Sequence, residues 1–220
     1  MNPDRNVRNT LFWNFIMCRA TNWMACARRA WFFTCALVAG SAAYSDAWPL
    51  SAEDLARLDR REILLPEPAE RDHADGSFRA AIEIEAPAER VFRTMTDCAQ
   101  ALKFVPHLIH CTVLETAPDG SWQTIEHEVS YGWYLPRASY VFRAAYEPFE
   151  RVSFSGVRGD FRETEGVWEL SPRGDGALTV VTYRAEVAPR FFVPRWMVLA
   201  SLKHDLPALM QGLRARCETP

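Results

Sequence analysis

The chain has 220 residues, 49% of them apolar and 24% charged, and its 25 basic and 28 acidic side chains leave a formal net charge of −3. That is enough chain for one domain with a substantial core. With acids in surplus and no cationic face in view, the composition argues against a phosphate-backbone reader, so nucleic acid is not an expected partner.

Residues 1–43 read as a leader and not as fold. Arg28-Arg29 precede an apolar run from Ala30 to Gly40, which is short for a membrane span. Small residues follow at Ser41-Ala42-Ala43 and again at Ser45-Asp46-Ala47. A positive stretch, an apolar stretch and a small-residue cleavage site make a secretory signal peptide, with cleavage expected near Ala43 or Ala47. Export to the periplasm is the expectation, and an uncleaved anchor on a membrane is the other reading. Met24 stands where an ordinary signal would begin, so translation from Met1 or Met24 stays open. The leader holds five arginines and one acid, so the rest keeps 20 of the 25 basic and 27 of the 28 acidic residues, a formal charge of −7. Cys18, Cys26 and Cys35 lie in the leader, while Cys98, Cys111 and Cys217 remain. Cys98 and Cys111 could pair in an oxidising compartment, but two buried free thiols are the reading adopted from the odd count.

Residues 44–76 supply a short helix and a linker, ahead of a domain over 77–218. Ser51 can cap the helix, Glu53 and Asp54 suit its first turn, and Leu55, Leu58 and Ile63 form its apolar side. The stretch from Pro66 to Gly76 reads as an exposed connection. Phe78, Ala80, Ile82 and Ile84 alternate with Arg79, Ala81, Glu83 and Glu85, as in a half-buried strand. Pro87 then starts a helix that buries Val91, Phe92 and Met95 and ends at Asp97, and a second short helix covers Ala99 to Phe104. Six strands follow, at 111–115, 122–133, 139–146, 152–157, 161–170 and 178–187, with turn residues between them. The chain closes on a helix whose leucines at 199, 202, 206, 209 and 213 step by three and four along one face. Pro207 inside it is expected to kink it near Lys203.

Alternation assigns the inward side chains. Gln123, Ile125, His127, Val129, Tyr131 and Trp133 share one face, as do Tyr140, Phe142, Ala144 and Tyr146. Val152, Phe154, Gly166, Trp168, Leu170, Val181, Tyr183, Ala185 and Val187 continue it. A sheet with this aromatic face, curved around one helix, encloses a small-molecule cavity on the order of 300–1,000 Å³.

Four segments in this order resemble the START and polyketide-cyclase-like branch of the Bet v 1-like (SRPBCC) superfamily, from about Phe78 to Cys217. They are Ile84-Glu85-Ala86-Pro87-Ala88-Glu89 with Phe104-Val105-Pro106 after it, and Leu135-Pro136-Arg137-Ala138-Ser139-Tyr140, which lacks the acid often found before the Tyr. The others are Gly166-x-Trp168 with the Gly174-x-Gly176 hairpin, and Val193-Pro194-Arg195-Trp196 leading into the last helix. The resemblance implies an α+β helix-grip fold, with a curved antiparallel sheet wrapped around a long C-terminal helix and two short helices after the first strand. It also implies a cavity for a hydrophobic ligand such as a lipid, sterol or quinone.

The expected ligand-binding residues are Ile125, His127, Val129, Tyr131, Tyr140, Phe142, Phe154, Trp168, Val181, Tyr183, Trp196, Leu199, Leu202 and Leu206. His127 could orient a ligand or serve as acid/base; otherwise it is a core histidine satisfied by a neighbouring Tyr or a backbone carbonyl. His107-x-x-His110 lacks a third ligand and reads as surface loop, so neither metal nor cofactor is expected. Phe191, Phe192 and Trp196 either anchor the helix in the core, the preferred placement, or form a tip that touches a membrane transiently. Non-enzymatic binding or transport of a hydrophobic small molecule is the leading reading. A cyclase or dehydratase using His127 with Tyr131, Tyr140 or Tyr183 competes with it, and an interaction module with a filled core is the third.

Overall fold

The computed structural model describes residues 48–65, 77–133, 135–190 and 193–219, without the side chains of Pro189 and of residues 195–202. The leader, both cleavage points, the connection from Pro66 to Gly76 and the pair Phe191-Phe192 lie outside these residues.

Helix α1 (Ala52–Asp59) begins where the sequence places a cap. Ser51 Oγ accepts from the Asp54 backbone N–H at 3.1 Å, and the Asp54 carboxylate accepts from the Ser51 N–H at 2.9 Å. Its apolar side does not stand apart from the domain. Leu58 and Leu64 pack on Ala81 and Val180, with Trp48, Leu50 and Leu55 around them. Leu64 also exchanges two backbone hydrogen bonds with Ala81, at 2.9 and 3.0 Å. Strand β1 (Ser77–Ile84), expected to be half-buried, is therefore covered on both faces from Ala80 onward. Glu83 sits on the covered side and is only 8% exposed, a burial made tolerable by Arg173 at 2.6 Å.

Helices α2 (Ala88–Thr96) and α3 (Cys98–Phe104) follow, and Asp97 closes the first while capping the second through the Ala99 N–H at 2.8 Å. The remaining strands are β2 (Leu108–Thr116), β3 (Trp122–Val129), β4 (Ala138–Glu147), β5 (Arg151–Gly159), β6 (Phe161–Arg173) and β7 (Leu178–Pro189). They form one antiparallel seven-stranded sheet in the order β1-β7-β6-β5-β4-β3-β2. Strand β2 begins three residues before the expected Cys111. Strand β3 stops at Val129, where the Ser130 N–H turns to the His107 carbonyl and Gly132 takes φ 90°. Alternation fails past that point, and Trp133, expected inside, is 97% exposed.

Helix α4 (Arg195–Glu218) runs through Pro207 and packs on β1, α2 and α3. Leu206, Met210, Leu213 and Cys217 are buried against Ile82, Ile84, Val91 and Phe104. Met210 lies within the span of the leucine stripe, and Cys217 continues it by one turn. Gly212 lets α4 approach α3, since a Cβ there would stand 3.0 Å from the Phe104 carbonyl oxygen. The end of α4 is tied down by Arg61, which reaches Glu218 at 2.7 Å and Glu85 at 2.6 Å, and by Arg214 Nε donating to the Glu83 carbonyl at 3.0 Å. The described residues contain no helix long and apolar enough to cross a membrane.

Cys98 and Cys111 are joined in a disulfide, and the expectation of two free thiols is corrected. The turn at Pro106-His107, with His107 at φ 62°, folds β2 back under α3 and brings the two Cα atoms within 5.4 Å. Among the described residues Cys217 is the free cysteine, and it is buried.

Candidate functional site

A cavity of about 800 Å³ lies between the inner face of the sheet and helices α2, α3 and α4. This is the upper part of the range for small-molecule sites. Strand β3 contributes Ile125, His127 and Val129, β4 contributes Tyr140, Phe142 and Tyr146, and β5 contributes Val152 and Phe154. Phe161, Thr164, Trp168, Tyr183 and Val187 continue the wall through β6 and β7, and Phe78 on β1 ends it. Met95, Ala101, Phe104, Leu206 and Leu209 face them from the helices.

The aromatic rings form a connected surface. Trp168 and Tyr183 stack at 3.8 Å, Tyr140 meets Phe161 edge-on at 5.1 Å, and Phe142 meets Phe154 at 5.9 Å. Gly166 makes room for this layer. A Cβ there would stand 2.6 Å from Phe154 Cζ and 2.4 Å from the Arg184 carbonyl oxygen, so the Phe154 ring lies against bare backbone.

Polar groups are few inside. His127 Nδ1 and the Tyr140 hydroxyl share a hydrogen bond of 3.1 Å. Burial pushes the His127 imidazole down to about 4, so the ring is neutral at neutral pH. Burial, and then the nearby Tyr131, push the Tyr140 phenol far up; burial, and then Tyr140, do the same to Tyr183. Tyr146, raised by burial to about 12, donates to Gln123 Oε1 at 2.9 Å. All three phenols therefore keep their protons and act as neutral hydrogen-bonding groups.

At the mouth, His107 Nε2 lies 3.2 Å from Asp205 Oδ1 on α4, and its ring centroid lies 4.5 Å from that of Tyr131. Leu135, Pro136, Val193 and His204 complete this rim. The Cys98–Cys111 disulfide joins α3 to β2 in the wall near Met95 and Phe104.

Ten of the expected residues line the cavity together: Ile125, His127, Val129, Tyr131, Tyr140, Phe142, Phe154, Trp168, Tyr183 and Leu206. Val181 does not. It pairs with Ile82 across β1 and β7 and is fully buried in the core beneath α4, because the inner face near β1 is filled by Met210 and Leu213. The side chains of Trp196, Leu199 and Leu202 lie outside the described residues. Of the residues not expected at the site, Phe78, Tyr146 and Val187 carry the right strand phase, whereas Met95, Phe104 and His107 come from helix and turn. His107, read from sequence as surface loop, stands at the rim because the turn after α3 points it toward α4.

Residues 84–214, more than half of the chain, match the family described as polyketide cyclase / dehydrase and lipid transport. The chain belongs to this family. A comparison with curated proteins finds no match. Among solved structures, human STARD10 superposes with a TM-score of 0.59 at 14% identity, over 79% of this chain and 82% of its own. The STAR-related lipid transfer protein of Xanthomonas axonopodis gives 0.52 at 20% identity, over 69% and 98%. Zhui aromatase/cyclase from a Streptomyces species gives 0.55 at 14% identity, over 64% and 93%. At these identities the likeness shows the fold, which is the helix-grip. The family's description joins an enzymatic activity, cyclase / dehydrase, with lipid transport.

Proposed function

We propose that this chain binds and carries an apolar small molecule in the cavity. The observation that carries the reading is the cavity of about 800 Å³ walled by connected aromatic rings and set between sheet and helices. Enclosing ~300 Å² of apolar ligand surface at ~25 cal/mol per Å² supplies roughly 7 kcal/mol before ordering costs, enough for useful affinity. The disulfide in the wall supports an exported, oxidising setting, since such bonds persist there, and so agrees with the leader reading of residues 1–43. Loading from a bilayer fits the exposed Trp133, two residues from the rim residue Leu135. The test is native mass spectrometry and organic extraction of the full chain recovered from the periplasm. A stoichiometric apolar adduct is the expected result. A bare mass under gentle conditions, with no uptake of added lipids, would overturn the carrier reading; a mass that retains residues 1–43 would overturn cleavage.

The competing reading, a cyclase or dehydratase, is favoured by one observation. A neutral imidazole beside a protonated phenol, His127 with Tyr140, is a usable general base with an acid next to it. His127→Ala separates the two. A carrier keeps binding with modestly altered affinity, whereas an enzyme keeps binding and loses turnover by orders of magnitude.

A further inference from the structure

We infer that the cavity selects an uncharged, ring-bearing ligand with a single hydroxyl or carbonyl group, held by the His127–Tyr140 pair, and that it rejects anionic lipids. The inference rests on the carrier reading and narrows it.

The pair is suited to that group by its proton arrangements. If Tyr140 donates to His127 Nδ1, then Nε2–H remains as a donor and the phenol oxygen as an acceptor. If Nδ1–H donates to the phenol oxygen, the Tyr140 O–H becomes the donor and Nε2 the acceptor. Either way the pair offers one further donor and one further acceptor: a hydroxyl can use either, and a carbonyl the donor. The Tyr183 hydroxyl adds a second donor on the same wall, and no described side chain or backbone group hydrogen-bonds to it. The rings of Phe142, Phe154, Phe161 and Trp168 pack around these groups, beside the aliphatic Ile125, Val129 and Val187, and their flat faces suit a fused-ring body.

The charge of the wall excludes the alternative head groups. Among the described residues no lysine or arginine lines the cavity. Its carboxylates, Asp97 and Asp205, are engaged, one capping α3 and the other beside His107. The remaining imidazoles of the lining are His107, whose Nε2 lies beside Asp205 Oδ1, and His204, which is exposed. A carboxylate or phosphate carried inward would lose its hydration and meet no cation there.

The test uses one fluorescent ring body with different heads: pyrene, pyrenemethanol, pyrene carboxaldehyde, pyrene carboxylate and pyrenemethylammonium, titrated into the intact, disulfide-bonded chain. The alcohol and the aldehyde are expected to bind several-fold tighter than pyrene, and at least about tenfold tighter than either ion. Tyr140→Phe and His127→Phe, each checked for an unchanged fold by circular dichroism, are expected to remove the preference for the alcohol over pyrene measured on the same variant. Equal or tighter binding of the carboxylate, or an alcohol preference that survives both variants, would overturn the inference while the carrier reading stands. The wild-type ranking decides the matter even if a variant fails to fold. Binding of none of the five would overturn both.

Discussion

His127 is neutral because it is buried, and that neutrality leaves a signature in stability. Its folded-state value of about 4 lies below the 6.5 of a free imidazole. Between those values the unfolded chain holds a proton that the folded chain excludes. Stability therefore rises with pH across that window, and acidification from pH 6.5 to 4 removes on the order of 3 kcal/mol through this group. Urea midpoints of the wild type and of His127→Phe, taken at intervals from pH 7 to 4, check this. The variant is expected to show a shallower decline, and parallel curves would mean that the imidazole is solvated. The sequence put His127 on the inner phase of β3 by parity alone. What it could not supply was the partner: Tyr140 lies directly across in the β3–β4 register.

At the scale of elements, the disulfide fastens α3 to β2 in the cavity wall across a sequence separation of 13. A loop of that length loses enough unfolded-state entropy on closure to stabilise the fold by about 3 kcal/mol in the chain-entropy account. Denaturation with and without a thiol reductant should differ by about that amount, and the Cys98→Ser/Cys111→Ser double variant should show no difference. An unaffected midpoint in the wild type would mean that the bond adds nothing. The pairing was not legible from an odd number of cysteines without a spacing motif. It depends on the turn after α3, where His107 adopts a left-handed conformation. Element ends behaved likewise. The period of two located β3 correctly, but its last inward residue is Val129, because a backbone hydrogen bond from Ser130 to His107 peels the chain off the sheet.

For the whole molecule, one helix holds both the core and the site. Leu213 is fully buried against the sheet, while Leu206 and Leu209 on the same helix face the cavity. Leu213→Ala should cost about 2–5 kcal/mol in a urea or thermal melt, the usual range for a large-to-small core change. It should also weaken ligand retention, since α4 closes the cavity only while it stays docked. Full stability in the variant would mean that α4 is fastened by its polar ties alone, Arg61 with Glu218 and Arg214 with the Glu83 carbonyl.

The sequence by itself determined the order of elements, the inward phase of the strands and the leucine face of the last helix. These are local periodicities, written into neighbouring residues. The α+β helix-grip architecture and ten of the cavity residues were readable on that basis together with the family resemblance. Only the tertiary structure decided what covers what. It laid α1 on the outer face of β1, gave Val181 to the core and not to the cavity, joined Cys98 to Cys111, and set His107 against Asp205 at the rim. Each of these pairs residues that are distant in the chain or separated by a turn. Their meeting depends on register, turn geometry and packing between layers, none of which has a period that a sequence can display.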